Sequence, residues 1–356
     1  MDVYYKHRTG SMPVRKRQKM AKITIKDVAA AAGVSVGTAS MAINDSPRIS
    51  TQTKQSVLKT VAKLNYHRNP YARSFSLSSS NTIGFLVPDL LNSFFGEMAG
   101  HLQNEIEQRG KALMFGLTNE SSRQEAKLIR QFIDRGIDGL IIVPVIEACP
   151  DLNHIHELVK NKFPFVFISS YYKGIPANCV MTDLCKGSYD LTLQLLDSGH
   201  RSIILISGNP NVVPFAERIK GFVQAYKDRN IPFSNDQIIT TLSMSFQGGY
   251  DAIRTVYFSR KIDAILAIND VMAMGIISSL HACGVRVPQD VSVAGYDDIS
   301  ISGLQETPLS TVHQPLDKMS KITVETLFRL INGEQTVMKP VYLKPQVVLR
   351  KSIAEM

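Results

Sequence analysis

The sequence predicts a mixed α/β protein, with a small N-terminal all-α unit followed by a body of two doubly wound parallel-sheet subdomains. Two short alanine-rich helical stretches meet at Gly33, which predicts the all-α unit. From Thr82 onward, apolar runs of strand length alternate with amphipathic stretches of helix length, a pattern typical of parallel sheets covered on both faces. Positive charge is concentrated in the first part of the chain, so the two parts are expected to have different roles.

The charge distribution suggests a nucleic-acid-binding part attached to a neutral body. The 356 residues carry a net charge of +9, and 44% of them are hydrophobic. Residues 1–80 hold 14 Lys or Arg and 3 Asp, a net charge of +11, whereas the rest of the chain carries −2. Such an asymmetry is typical of proteins that bind a phosphate backbone. A basic tail that only improves solubility is an alternative that charge alone leaves open.

The composition does not favour a membrane, secreted or metal-binding protein. No apolar run reaches the ~18–20 residues of a membrane-spanning helix, and the N-terminus lacks the apolar region of a secretory signal. Residues 1–20 show no periodicity and are expected to be a disordered basic extension, and translation could begin at Met1 or at Met20. The cysteines lack metal-ligand spacing, so we expect four free, buried thiols in a reducing cytoplasm: Cys149, Cys179, Cys185 and Cys283.

Residues 21–66 are predicted to form a DNA-binding headpiece. Thr24 begins a first helix that ends at Gly33, and Ser35 caps a second helix over residues 36–43. The connection is so short that small side chains are needed where the helices cross, and the sequence supplies Ala29, Ala32, Ala39 and Ala42. The pattern favours a helix-turn-helix, although an alanine-rich helical hairpin that binds no DNA would contain the same small residues.

A third helix is predicted after Ser50, with Val57, Val61 and Leu64 on one face. In a basic three-helix unit of this kind, the second helix lies in the major groove and its first residues contact base edges. The residues expected there are Ser35, Val36, Gly37, Thr38, Ser40 and Met41. Residues 67–80 follow as a short hinge helix, and a plain serine-rich linker is the alternative.

Residues 81–356 are predicted to form a ligand-binding body. Its predicted strands are "TIGFLV", "KALMFGL", "DGLIIV", "PFVFI", "SIILIS", "AILAI" and "VSVAGY", which fall into two sets. Ligands of doubly wound folds bind outside the carboxyl ends of the strands. The candidate pocket is therefore formed by the segments "PDLLNSFF", "SS" at 169–170, "NPNVVPFAER", "IND" and "YDD".

Several segments occur together in an order shared with one known family. They include "TIKDVAAAAGVS", "GHRSIILISG", "AINDVMAMG", "VRVPQDVSVAGYDD" and "PLSTVHQPL". From about Ile23 onward the chain resembles the lactose-repressor/purine-repressor (LacI-type) family of bacterial transcription regulators. The resemblance implies a periplasmic-binding-protein-like body, a homodimer, a roughly palindromic operator in double-stranded DNA, and a small-molecule effector such as a sugar or nucleobase. It also implies that a hinge helix enters the minor groove with Phe75 between base pairs, unless Phe75 packs against its own headpiece.

The resemblance places the site residues by position. The implied DNA contacts are Thr24, Ile25, Ser35, Val36, Gly37, Thr38, Ser40, Met41, Asn44, Arg48, Ser50, Thr53, Arg73 and Phe75. The implied effector contacts are Phe94, Phe95, Ser169, Arg218, Met244, Asn269 and Asp297. Structural alternatives remain for some of them. Phe94 and Phe95 could belong to the core, Asp297 could cap the following segment, and Arg218 could form an ion pair on a solvated helix face.

The chain departs from the family pattern at both sites. Met41 stands where the family usually has a base-contacting Arg, and Gly37 where a longer side chain is common, which indicates an altered operator preference. Ser169 and Ser170 stand where many relatives have Asp-Arg. The opposite wall of the pocket is apolar, so we expect a less charged effector; its residues are Val212, Val213 and Met244.

The leading hypothesis is a transcription repressor whose operator affinity is controlled by its effector. Gating by a protein partner and a solute-binding protein unrelated to transcription are the alternatives, although the latter would not need a headpiece of charge +11. We do not expect an enzyme, a cofactor or a metal site, because the chain contains no GxGxxG or GxxxxGK[ST] loop. His200 is expected to be a surface or cap residue rather than a catalyst. The expected location is the cytoplasm, in association with the nucleoid.

Overall fold

The computed structural model describes residues 24–43, 46, 48–64, 80–334, 336 and 338–354. The chain divides into two compact units, residues 1–76 and 77–356. The predicted basic extension and all but the last residue of the predicted hinge lie outside the described residues, so both stay predictions. The predicted limits of the headpiece and of the body also stay predictions.

The N-terminal unit contains three helices at the predicted places: α1 (Ile25–Ala32), α2 (Val36–Ile43) and α3 (Thr51–Lys63). α1 begins with a capping box, in which the Thr24 N–H donates to Asp27 Oδ2 over 2.7 Å. It ends at Gly33, whose φ of +68° is a left-handed conformation that glycine adopts without strain. Both ends of α1 are therefore determined by local sequence.

Small and β-branched side chains form the core of the headpiece. The buried residues are Val28, Ala29, Ala39, Ala42 and Val57. Around them lie partly buried apolar side chains, among them Val61 and Leu64 of the predicted apolar face of α3. Because the side chains between α1 and α2 are mostly alanines, the two helices can cross closely, and the predicted helix-turn-helix arrangement is confirmed.

The N-subdomain of the body contains a six-stranded parallel sheet in the order β11-β5-β4-β3-β1-β2. Its strands are β1 (Thr82–Val87), β2 (Ala112–Leu117), β3 (Gly139–Ile142), β4 (Phe165–Ile168), β5 (Asn178–Thr182) and β11 (Pro340–Leu343). Its helices are α4 (Ser93–Glu107), α5 (Ser122–Asp134), α6 (Asn153–Lys160) and α11 (Leu316–Ile331). Strands β3 and β4 are buried along their whole length, which explains why their sequences are continuously apolar.

The C-subdomain contains a four-stranded parallel sheet in the order β7-β6-β8-β9. Its strands are β6 (Ile203–Ser207), β7 (Ile238–Thr240), β8 (Ala264–Ala267) and β9 (Ser292–Ala294). Its helices are α7 (Leu184–Asp197), α8 (Val213–Asp228), α9 (Phe246–Val256) and α10 (Asp270–Ala282). An antiparallel pair, β10 (Thr311–His313) and β12 (Gln346–Val348), adjoins α7.

The chain passes between the subdomains three times, from β5 to α7, from β10 to α11, and from β11 to β12. The prediction of two doubly wound parallel-sheet subdomains is confirmed. The sequence did not reveal β5, β7, β10, β11 or β12 as strands. Three of these have only three residues each, which is too short for a hydrophobic period to be visible.

Two sequence-based expectations are wrong in part. His200 is completely buried rather than at the surface, although it does cap α7: one ring nitrogen lies 3.1 Å from Leu195 O in the last turn of that helix, and the other lies 2.8 Å from Ser292 Oγ. Burial lowers the pKa of His200, so the neutral ring links the end of α7 to β9. Of the four cysteines only Cys179 is buried; Cys185 is half-buried, and the exposed ones are Cys149 and Cys283. In both cases the burial is decided by packing between segments that are distant in sequence.

The crossing of α7 and α8 depends on Gly221. A Cβ at this position would lie 2.1 Å from Cys185 O. We expect Gly221→Ala to destabilise the body by about 1–3 kcal/mol, because the helices must move apart. Gly100→Ala in α4 is the matched control, since nothing lies within 4 Å of its Cβ and alanine should stabilise the helix by about 1 kcal/mol. Thermal unfolding of both variants checks this, and equal melting temperatures would contradict it.

Candidate functional site

Helix α2 of the headpiece exposes the side predicted to contact bases. Val36 and Met41 are exposed to 43% and 37%, although both are apolar, and Gly37 between them is also exposed. Ala39 and Ala42 on the opposite side are buried in the headpiece core. The first turns of α2 therefore present apolar contacts and open backbone, as a helix that reads thymine methyl groups would.

Four of the predicted DNA-contacting hydroxyls are paired with each other in helix caps. Ser35 Oγ accepts the Thr38 N–H over 3.0 Å and lies 2.9 Å from Thr38 Oγ1. Ser50 Oγ makes the same contacts with Thr53, over 3.2 Å and 2.8 Å. These hydroxyls stabilise the starts of α2 and α3, where helix N-termini favour anions such as DNA phosphates.

The remaining predicted DNA contacts differ in their surroundings. Thr24 is exposed and bound to Asp27, which lowers the pKa of that carboxyl through the hydrogen bonds that it accepts from Thr24. Ile25 packs against the headpiece core, Arg48 is exposed, and Ser40 is half-buried. Three further predicted contacts lie outside the described residues: Asn44, Arg73 and Phe75.

In the body, loops at the carboxyl ends of the two sheets meet where the Ser300 N–H, after β9, donates to Glu97 of α4. We call the region between the subdomains around this contact the cleft, because doubly wound folds bind ligands at the carboxyl ends of their strands. Asp297, just after β9, is 6% exposed and adopts an unusual backbone conformation with φ of +120°. Its Oδ1 accepts Gln314 Nε2 over 2.7 Å and lies 3.4 Å from Arg218 Nη2. The Arg218 guanidinium also stacks on the ring of Tyr296, 4.1 Å from its centroid.

The sequence left two structural alternatives open: Asp297 could cap the following segment, and Arg218 could form an ion pair on a solvated helix face. The buried cluster that these two residues form with Gln314 and Tyr296 confirms neither. Arg218 is buried in the cleft rather than on a solvated helix face. Burial acts to raise the pKa of Asp297, whereas the adjacent Arg218 guanidinium and the Gln314 amide favour its charged carboxylate. The sequence did not identify Gln314, and it included Tyr296 only as part of the candidate pocket segment "YDD". Their contacts depend on two segments meeting in the fold.

Two polar atoms of this cluster lack a hydrogen-bond partner in the part of the chain that the structure describes. Arg218 Nε and Gln314 Oε1 are buried and make no hydrogen bond within the described residues. The same is true of the hydroxyl of Ser207, which ends β6 at the same edge of the sheet. A donor, an acceptor and a hydroxyl without partners are costly in a closed core, so they point to a site that a polar ligand completes.

Two other predicted effector residues of the C-subdomain hold each other in place. Asn269 caps α10 by accepting the Met272 N–H over 2.8 Å. Its Nδ2 donates to Met244 O over 3.0 Å, which fixes the loop after β7 against α10. The amide of Asn269 is thus engaged within the protein, and only the half-buried side chain of Met244 is left as an apolar wall.

On the N-subdomain side, the predicted effector residues lie on α4 and after β4. Phe94 is 4% exposed and belongs to the core, whereas Phe95 is half-buried and contacts the Phe94 ring edge-on. Ser169 is half-buried with φ of +69°, and its N–H donates to Val180 O over 2.9 Å. Phe94 is therefore a core residue, as the alternative had it, whereas Phe95 and Ser169 are only half-buried.

Comparison with known families matches both units. A sequence profile described as bacterial regulatory proteins, lacI family, matches residues 24–69. A second profile, described as periplasmic binding protein-like domain, matches residues 192–353. Among curated proteins, the HTH-type transcriptional regulator DegA of Bacillus subtilis (strain 168) is 30% identical over 331 residues, which cover 93% of this chain and 98% of DegA. The HTH-type transcriptional repressor PurR of Aliivibrio fischeri (strain MJ11) is 32% identical, with the same coverage of both chains.

Solved structures show the same fold. The lac repressor dimer bound to operator and the anti-inducer ONPF superposes with a TM-score of 0.77 at 24% identity, covering 94% of this chain and 100% of that chain. The transcriptional regulator CelR in complex with cellobiose gives a TM-score of 0.70 at 25% identity, covering 93% and 99%. A regulator from Enterococcus faecium with bound ribose gives 0.68 at 28% identity, covering 77% and 99%.

The base preference of the headpiece is expected to depend on position 41. Met41→Arg places a bidentate hydrogen-bond donor on the exposed side of α2, and an Arg–guanine contact contributes about 1–3 kcal/mol of discrimination. Selection from random DNA with both proteins should change the consensus at one symmetric pair of positions. Leu58→Arg, an exposed position on α3, adds the same charge as a control. An unchanged consensus would show that Met41 does not face the bases.

The cleft cluster is expected to respond strongly to loss of one charge. Asp297→Ala leaves the Arg218 guanidinium buried without its carboxylate, so we expect the free energy of unfolding to fall by about 3–5 kcal/mol. The exposed pair of Arg229 and Asp197 is the control, and Asp197→Ala should cost less than about 1 kcal/mol. Urea denaturation measures both. Similar losses in the two variants would contradict the assignment.

Proposed function

Because the chain belongs to the LacI family of bacterial regulatory proteins, we propose that it is a repressor whose affinity for operator DNA is set by a small molecule in the cleft. It is a DNA-binding transcriptional regulator with a ligand-binding domain. The observation that carries the proposal is the cluster at the strand ends, where Arg218, Asp297 and Gln314 form a buried polar site with unpaired atoms. In a purely structural core, buried polar atoms nearly always have hydrogen-bond partners.

On the DNA side, we propose that two headpieces of a homodimer bind the two halves of a roughly palindromic operator. The exposed first turns of α2 support base contacts, and the helix caps at Ser35 and Ser50 support phosphate contacts nearby. The similar lac repressor was solved as a dimer on operator DNA. In this proposal, Arg73 and Phe75 belong to a hinge that binds the minor groove.

The proposed effector is a small, largely uncharged molecule with hydroxyl or ring hydrogen-bonding groups, such as a sugar or nucleobase. The unpaired atoms of Arg218, Gln314 and Ser207 can bind such groups in both donor and acceptor roles. The rest of the wall is apolar, as Val213 is buried and Met244 packs against the C-subdomain core. The similar regulators CelR and that of Enterococcus faecium were solved with cellobiose and ribose, respectively.

We propose that the effector acts by changing the relative orientation of the subdomains. The two sheets are joined by the three crossover segments, and the cleft lies where both present loops. A ligand that contacts both sides stabilises one orientation, and a coupling of about 1–3 kcal/mol would change operator affinity by roughly fivefold to a hundredfold. The direction of the change distinguishes an inducer from a corepressor.

The alternatives receive less support. The match of residues 24–69 to a DNA-binding family argues against a solute-binding protein unrelated to transcription. None of the described helices is long and apolar enough to cross a membrane, and the described residues include no cluster that could hold a metal ion. We further propose that the protein is not an enzyme and acts in the cytoplasm at the nucleoid, where its operator would be.

A thermal-melt screen of the purified dimer tests the proposal. The compounds are sugars, sugar phosphates, nucleobases and nucleosides, and a ligand at ~100 times its dissociation constant should stabilise the body by ~2.7 kcal/mol. The stabilisation should disappear in Arg218→Met and persist in Asp197→Ala, whose pair is on the surface. A shift that survives Arg218→Met would place the ligand elsewhere. Failure of all compounds to shift the melt would favour gating by a protein partner.

A further inference from the structure

The segment after β3 reaches from the N-subdomain to the C-subdomain. We call residues 143–150 the β3 loop; it leaves the carboxyl end of a central strand and therefore borders the cleft. The side chain of Ile146 packs against the apolar cluster of the C-subdomain, which includes Phe215. The β3 loop is thus a contact between the two subdomains, and its position is linked to their relative orientation.

Hydrogen bonds to neighbouring segments hold three successive residues of the β3 loop. The Val145 N–H donates to Tyr172 Oη over 2.9 Å, and the Ile146 N–H donates to Glu120 Oε2 over 2.9 Å. In the opposite direction, Glu147 Oε1 accepts the Ser122 N–H over 3.2 Å. The loops after β2, β3 and β4 are therefore joined by hydrogen bonds at the carboxyl edge of the N-subdomain sheet.

Behind this contact lies a buried polar network. Glu125 of α5 is completely buried and accepts the Tyr172 O–H at 3.0 and 3.1 Å, while His154 Nε2 of α6 lies 2.7 Å from its Oε1. Burial and the Glu125 carboxylate raise the pKa of Tyr172, so the phenol stays protonated. Because its single O–H is directed at Glu125, the Tyr172 oxygen is left as the acceptor for the Val145 N–H.

The charges around Glu120 also suit this role. Burial raises the pKa of Glu120 to about 7, and the carboxylates of Asp89, Glu125 and Glu147 act in the same direction, whereas the Ile146 N–H favours the charged form. A carboxylate close to other carboxylates is electrostatically unfavourable unless a hydrogen bond to it offsets the repulsion. Here its hydrogen bond to a backbone N–H fixes Ile146, a residue of the β3 loop that packs on the apolar cluster of the C-subdomain.

We propose that Glu120, together with the Glu125–Tyr172 hydrogen bond, positions the β3 loop so that Ile146 couples the N-subdomain to the C-subdomain at the effector cleft. The inference rests on the proposed function, in which the orientation of the subdomains regulates DNA binding. Glu120, Glu125 and Tyr172 are positioning residues, since each acts on the cleft through the backbone of the β3 loop. None of them was among the residues that the sequence suggested.

Hydrogen exchange of the full-length protein, without DNA or effector, tests the proposal. Glu120→Ala and Tyr172→Phe should each speed exchange in peptides covering 143–150 by roughly tenfold to a hundredfold, since a hydrogen bond to a backbone N–H is lost. Exchange should also increase in C-subdomain peptides that contribute to the apolar cluster on which Ile146 packs, among them residues 212–218, which contain Phe215. Glu120→Gln should restore most of the protection, because its amide oxygen still accepts the Ile146 N–H.

Two further variants separate coupling from general loss of structure. Ile146→Ala removes the apolar contact but keeps the backbone hydrogen bonds, so it should speed exchange in 212–218 alone. Tyr226→Phe removes another buried phenol, bound to Gln237 in the C-subdomain, and should leave 143–150 unchanged. Unchanged exchange in 143–150, or faster exchange there without any change in 212–218, would overturn the proposal. Because neither DNA nor effector is used, such a result leaves the proposed function standing.

Discussion

The buried pair of Arg218 and Asp297 is the interaction on which the cleft depends. It joins α8 to the segment after β9, and Gln314 adds the segment after β10 to the same carboxylate. Removing two charges from water is costly, and a hydrophobic pair of similar volume would often be at least as stable. Its presence, with unpaired polar atoms beside it, is understandable if a ligand supplies the missing hydrogen bonds.

Carboxylates that bind backbone N–H groups recur around this cleft. Asp270 accepts the Ile299 N–H over 3.0 Å and two hydroxyls, and its burial raises its pKa to about 6. Glu97 of α4 accepts the Ser300 N–H over 2.8 Å and thereby links the N-subdomain to the C-subdomain. Glu120 does the same for Ile146. Charged acceptors make stronger hydrogen bonds than neutral ones, so they can fix loops that lack regular structure.

The headpiece and the body are stabilised in different ways. Its core is small, so close packing of alanines and well-formed caps must stabilise it. The exposed side chains of α2, such as Met41, are not needed for the packing of this core, so the residue types there can differ. The body instead has a large core and carries its buried polar cluster of Arg218, Asp297 and Gln314 beside strand ends.

The sequence by itself determined the elements whose signals are local. The ends of α1 follow from Thr24 and Gly33, and strands such as β3 and β4 follow from apolar runs, because caps and burial patterns involve residues close in the chain. Tertiary structure decided which residues meet. The strands β7, β10 and β12, the burial of His200, and the pairing of Asp297 with Gln314 and of Glu125 with Tyr172 all join segments that are distant in sequence. No local pattern records such contacts, since their free energy arises only when folding excludes water from both partners at once.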